Sequence, residues 1–224
     1  MSGIAERITS ILKILPQGVR LGAVSKFHSC EAIEEAYGAG QRVFCESRAN
    51  ELEEKSRRLP SDIEWHFIGH LQTNKVKTVV GHAHTIQSVD SERLLKAIDT
   101  ESAKQGKHPE VLLQLHVAAE DTKFGLTRDE AIELAGKAAE TYPNVTIAGV
   151  MGMATNTDSA ERIERDFDAI RQVFDQLRDG AMKDNENFRV VSMGMSHDYE
   201  LAIAKGSNLV RIGTAIFGER DYTN

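Results

Sequence analysis

The chain has 224 residues, 41% of them hydrophobic, which is enough to bury one large core in a single domain. Charged residues make up 27% with no long charge run, and a formal net charge of −7 disfavours non-specific adhesion to nucleic acid or anionic membrane. No apolar run approaches the roughly 18 residues of a membrane helix. The two cysteines, Cys30 and Cys45, cannot build a disulfide framework, so a reduced, cytoplasmic setting is expected.

The opening stretch places Ile4, Ile8, Ile11, Leu12 and Leu15 on one side of an amphipathic helix, with Glu6, Arg7 and Lys13 interleaved, unlike a signal peptide. The first strand is predicted at 21–25. A helix follows over about 29–37, with Ser29 as a plausible N-cap and Gly38 or Gly40 ending it. The second strand covers about 42–45, followed by a charged helix near 48–59 that Pro60 stops. Strand 64–68 leads to a helix at about 72–80, and strand 85–89 to a helix that opens at Asp90 or Ser91 and runs to about 105. The fifth strand is read at 111–117, with a helix from about 128 to 140. Thr127 with Glu130 three residues later forms a capping-box pattern there. Strand 145–151, a long helix near 158–177, strand 189–193, a helix near 198–205 and strand 209–212 complete the series, and 215–217 closes the chain.

Eight strand–helix steps imply parallel pairing with right-handed crossovers. They favour a closed (β/α)₈ TIM barrel with an extra N-terminal helix, 1–224 forming one domain. An open doubly wound sheet is the structural alternative. The chain shows no internal repeat or linker.

Function in such a barrel gathers where strands end and loops to the helices begin. Lys26 follows the first strand and shares parity with Gly22 and Val24, so it points inward if Val24 does. An inward ammonium is costly unless paired or neutralised. A Schiff base with an aldehyde cofactor is one solution, and a head that reaches water is the other. Ser196, Gly213 and Thr214 lie after the seventh and eighth strands, where barrels commonly bind phosphate, although capping and turn chemistry also explain them. Arg211 has the parity of Gly213. It suits either a barrel carboxylate or the ring nitrogen of pyridoxal phosphate (PLP), which a guanidinium would leave unprotonated. His82 and His84 lack a third ligand at metal spacing, and His66 and His70 lack a neighbouring carboxylate in sequence. Met151, Met153, Met193 and Met195 read as core and rim packing. No P-loop, dinucleotide, zincin or hydrolase motif occurs.

The segments AVSK (23–26), WHFIGHLQTNK (65–75), QSVDS (87–91), TKFG (122–125), MGMS (193–196) and VRIGTAIFG (210–218) resemble the pyridoxal phosphate homeostasis protein family, in order and over nearly the whole chain. WHFIGHLQTNK and VRIGTAIFG are the specific ones. The family is similar to the barrel domain of alanine racemase and other fold-type III PLP enzymes. The resemblance implies that Lys26 carries PLP covalently, that Arg211 faces the ring nitrogen, and that Ser196, Gly213 and Thr214 hold the phosphate. Ser47 and Met195 complete the expected cofactor-binding set. The sequence departs from the family pattern at Phe44-Cys45-Glu46-Ser47, where F-G-E-N is common, and at Phe27, where threonine often follows the lysine.

The expected function is PLP binding in vitamin B6 and amino-acid homeostasis without catalysis. Such a protein would be a cytoplasmic monomer, with PLP as its ligand, PLP-dependent apo-enzymes as candidate recipients, and no nucleic-acid or membrane partner. A PLP-dependent racemase or decarboxylase is the enzymatic alternative, with Lys26 as one base and a histidine such as His66 as another. A barrel for some other phosphorylated metabolite is the third.

Overall fold

The computed structural model describes residues 3–118 and 124–218. Helix α1 (Ile4–Ile14) precedes eight parallel strands: β1 (Arg20–Val24), β2 (Val43–Glu46), β3 (Glu64–Phe67), β4 (Thr85–Val89), β5 (Glu110–Gln114), β6 (Thr146–Met151), β7 (Val190–Ser192) and β8 (Leu209–Ile212). Between them lie α2 (Cys30–Gly38), α3 (Ala49–Arg58), α4 (Val76–His82), α5 (Glu92–Gln105), α6 (Arg128–Thr141), α7 (Ala160–Asp179) and α8 (Tyr199–Ala204), and α9 (Thr214–Phe217) follows β8. The strands close in chain order, and β1 pairs with β8 from Arg20↔Leu209 to Ala23↔Ile212. That last pairing excludes the open sheet.

Strand alternation divides the side chains. Ala23, Phe44, Trp65, Phe67, Ile86, Val191 and Val210 pack outward into one large apolar cluster with the helices. Leu112, Ala148 and Met151 form a separate small cluster. In α1, Ile8 and Ile11 are buried, whereas Leu12, expected on the same side, is 40% exposed.

Several helix starts follow their predicted chemistry. Ser29 accepts from Ala32 N and Ser91 from Leu94 N. At α6 the capping box is complete: Thr127 N donates to Glu130 Oε2 at 2.8 Å, and Glu130 N donates to Thr127 Oγ1 at 3.3 Å. Thr127→Ala should therefore cost about 1 kcal/mol, seen as a drop of roughly 2–4 °C in melting temperature for a chain of this size. An unchanged melt would remove the cap from the account of α6.

Two elements differ from the sequence reading by more than two residues or in kind. The helix expected at 72–80 divides into a 3₁₀ turn (Thr73–Lys75) and α4. The fifth strand stops at Gln114, not at 117, because its end is met by residues 124–126. Leu126 N donates to Gln114 O, and His116 N donates to Leu126 O. Gly125 permits this approach: at φ +152° a Cβ there would lie 2.5 Å from His116 N.

Candidate functional site

Strand β1 ends at Val24, two residues before Lys26, so strand alternation does not orient the lysine; the turn does. Ser25 is buried, and Lys26 and Phe27 form a half-buried turn. Phe27 has φ +67°, a left-handed conformation costing about 1–3 kcal/mol for a bulky residue. Three contacts offset it. Phe27 N donates to Glu51 Oε2 at 2.8 Å. The Arg48 guanidinium lies 4.3 Å from the Phe27 ring centroid. Ser25 Oγ donates to Glu46 Oε1 at 2.6 Å.

Beneath the turn, Lys55 Nζ donates to Ser25 O, Glu46 Oε1 and Glu51 Oε2, each at 2.9 Å. Glu46 has the strand parity of Phe44 and so faces α3, from which Lys55 and Glu51 reach it. Burial pushes the Glu46 carboxyl up to about 7, against the pull of Lys55 and Ser25. Burial also pulls Glu51 upward, but hydrogen bonds from Phe27 N–H and Lys55 outweigh it and hold that carboxyl below its usual range. A buried ion cluster thus fixes the Lys26 turn.

Arg211, in β8 opposite Gly22 of β1, is 4% exposed. Its Nη1 donates to Ser192 Oγ at 2.6 Å and its Nη2 to Gly152 O at 2.9 Å. Among the described residues it makes no ion pair with a carboxylate, so the barrel-carboxylate reading of this residue is not what the fold presents. Burial lowers its guanidinium to about 10, opposed by Cys45 and Asp198, which leaves it protonated at neutral pH.

The arginine starts a chain across the lumen. It can only donate, so the Ser192 hydroxyl hydrogen is left for Gln87 Oε1, 2.7 Å away. The amide nitrogen of Gln87 then meets His66 Nδ1 at 2.8 Å. Strands β4 and β7 are not neighbours in the barrel, so the Ser192–Gln87 bond passes through its interior. Because Nδ1 accepts, the neutral ring carries its proton on Nε2. Burial, with Arg20 and His84 adding to it, pushes His66 down to about 3.

At the C-terminal mouth the loops after β7 and β8 touch: Gly213 N donates to Ser196 Oγ at 3.3 Å. Met195 N donates to Asp198 Oδ1 at 2.5 Å, which sets that loop. Gly213 also lies against the end of β1, since a Cβ there would come within 3.2 Å of Val24 Cβ. Thr214 is exposed at the start of α9. Lys26, Met195, Ser196, Arg211, Gly213 and Thr214 therefore belong to strand ends and loops at one mouth. Ser47 is half-buried on the β2–α3 loop, its backbone against Gly69. It lines a cavity of about 350 Å³ with Arg48, Phe67, His70 and Lys75. Thr122 and Lys123 of the TKFG segment lie outside the described residues.

His70, which lacks a carboxylate nearby in sequence, finds one in space: its Nδ1 is 3.1 Å from Asp90 Oδ2, and its ring stacks on Phe124 at 3.9 Å. Met151 and Met193 are buried, and Met195 is half-buried. Cys30 and Cys45 are free and buried. Burial raises both thiols, Cys45 to about 12, so neither is an activated nucleophile. The cysteine that replaces the common glycine of the family pattern sits against Gly22, where an added Cβ would meet Cys45 Sγ at 2.8 Å.

A parallel (β/α)₈ barrel with a clamped lysine turn, a buried arginine and touching β7 and β8 loops at one mouth defines a class: barrels that gather their functional groups at the C-terminal ends of their strands. Within that class, the chain belongs to the pyridoxal phosphate homeostasis protein family, and the model of the alanine racemase N-terminal domain matches residues 1–221. The pyridoxal phosphate homeostasis protein of Aquifex aeolicus is 36% identical over 99% of this chain and 97% of its own. PipY of Synechococcus elongatus is 35% identical over 96% of this chain and 100% of its own. It superposes with a TM-score of 0.91 when solved without PLP and 0.86 with PLP bound. Alanine racemase from E. faecalis shares the fold at 17% identity and a TM-score of 0.72, with 57% of its chain covered.

Proposed function

We propose that this protein binds pyridoxal 5'-phosphate as a Schiff base on Lys26 and holds or buffers it in cytoplasmic vitamin B6 and amino-acid homeostasis, rather than catalysing a reaction. The observation that carries the reading is the convergence at one mouth of the Lys26 turn, an Arg211 with no carboxylate ion pair among the described residues, and the Ser196–Gly213 contact. Lys26 supplies the amine. Arg211 faces the ring nitrogen, and Ser196, Gly213 and Thr214 hold the phosphate, with Ser47 and Met195 beside the cofactor. Bound PLP supplies an aldehyde for the lysine and a ring able to withdraw electrons. Arg211 stays protonated, keeps the ring nitrogen unprotonated and so weakens that withdrawal. A site built this way retains the cofactor better than it drives racemisation. The PLP bound by PipY and the names of the relatives support the same reading. No helix among the described residues is long and apolar enough to cross a membrane. We take the protein to act as a monomer, with PLP-dependent apo-enzymes as candidate recipients.

The test is reconstitution with PLP, borohydride reduction and peptide mapping: the adduct should map to Lys26. Incubation of the holo-protein with each enantiomer of small amino acids separates carrier from enzyme. Sustained chiral turnover well above that of free PLP sinks the carrier reading. Arg211→Ala removes a charged hydrogen bond worth about 1.5–3 kcal/mol, so PLP retention should weaken by roughly tenfold to a hundredfold. The absorption of the bound cofactor should shift, and the barrel should still melt cooperatively. Unchanged affinity and spectrum would remove Arg211 from the site.

A further inference from the structure

The lumen chain leads away from the Lys26 mouth to the opposite end of the barrel. A cavity of about 200 Å³ opens there, lined by first residues of the strands, among them Arg20, Thr85, Glu110 and Leu209, and by His66 and Arg189. His66 is 3% exposed, and its Nε2 has no hydrogen-bond partner among the described residues. The direction of the chain from Arg211 makes that nitrogen a donor, so what completes it must be an acceptor. Arg20 pairs with Glu64 outside the cavity wall, and Arg189 pairs with Glu110 at 3.1 Å. Each guanidinium at the cavity is thus matched by one carboxylate, and the group left without a partner is the His66 N–H donor.

We propose that the N-terminal mouth of the barrel is a second binding site, for a small carboxylate whose oxygens accept from His66 Nε2–H and from Arg20 or Arg189. A planar carboxylate matches the guanidinium fork and fits the volume. A phosphate dianion is disfavoured, because Glu110 opposes its second charge. The site lies at the far end of the barrel from Lys26 and does not depend on how PLP is held.

The experiment uses apo-protein with ¹⁵N-histidine, titrated with acetate, glycine and inorganic phosphate at constant ionic strength. The His66 Nε2–H resonance should shift saturably with acetate and with glycine. Arg189→Met should weaken the acetate response about tenfold, by removing a donor and uncovering Glu110. Arg189 and Arg20 are about half-exposed, so both methionine variants should melt like the parent, and Arg20→Met provides the second measurement. No saturable shift with acetate, a shift that neither variant weakens, or saturation by phosphate alone would each overturn the proposal.

Discussion

The Lys26→Ala protein is expected to bind PLP without its visible Schiff-base absorption and to gain no mass after borohydride reduction. The loss should be complete, because neither described lysine near the Lys26 turn or the cavity beside Ser47 offers the same opportunity. Lys55 is committed to three acceptors at 2.9 Å and reaches from α3 toward the outer side of the strands. Lys75 is exposed on the 3₁₀ turn after β3 and lines the cavity beside Ser47. The fold should scarcely notice the substitution, with a change within about 1 kcal/mol, since the side chain is half-buried in a turn whose geometry rests on Ser25 and Phe27. Non-covalent PLP should persist at lower affinity through Ser196, Gly213 and Arg211. Absorbance and intact mass decide the matter together. A retained band, or a stoichiometric adduct on another lysine, would show that the cofactor's bond lies elsewhere.

The barrel was legible because its signal is local. Each strand–helix step carries its own periodicity and caps, as Ser29, Ser91 and Thr127 show. Arg211, Ser196 and Gly213 were legible because position at a strand end converts directly into position at a mouth. Lys26 was found by a parity argument that stops short of it. What places the lysine is the Glu46–Lys55–Glu51 cluster, whose members read separately as a strand end and an ordinary i,i+4 helix pair. The lumen chain was equally hidden, since Ser192 and Gln87 stand 105 positions apart. A hint was available: Cys45, His66 and Gln87 share the inward parity that Gly22 and Arg211 define, and polar inward residues in adjacent strands need one another. The shortened β5 required knowing that Gly125 comes back to its end.

Lys55→Met should be the most damaging single change beneath the lysine turn. Breaking one side of a buried ion pair costs about 3–5 kcal/mol, a large part of the roughly 5–15 kcal/mol that stabilises an ordinary domain. Here the penalty should depend on pH in a definite direction. The Glu46 carboxyl already stands at about 7 in the fold, against an ordinary 4.5, because burial outweighs Lys55 and Ser25. Without Lys55 it loses its main opposing influence and faces Glu51, so its pKa rises further. Between 4.5 and the folded value, the native state keeps a proton that the unfolded chain has released. Stability therefore falls as pH rises through that window, by at most about 1.4 kcal/mol per pH unit. The variant should melt nearest the parent at about pH 5 and furthest from it above pH 7. Adding Glu46→Gln should flatten the extra slope, because the glutamine does not titrate. The turn should loosen as well: Ser25 O and Glu51 lose their shared donor, the left-handed Phe27 loses part of its support, and PLP capture should slow. Melting curves from pH 5 to 9, with and without Glu46→Gln, test this. Parallel curves for Lys55→Met and parent would mean that the lysine is not what lets Glu46 sit charged inside the protein, and the clamp on Lys26 would need another source.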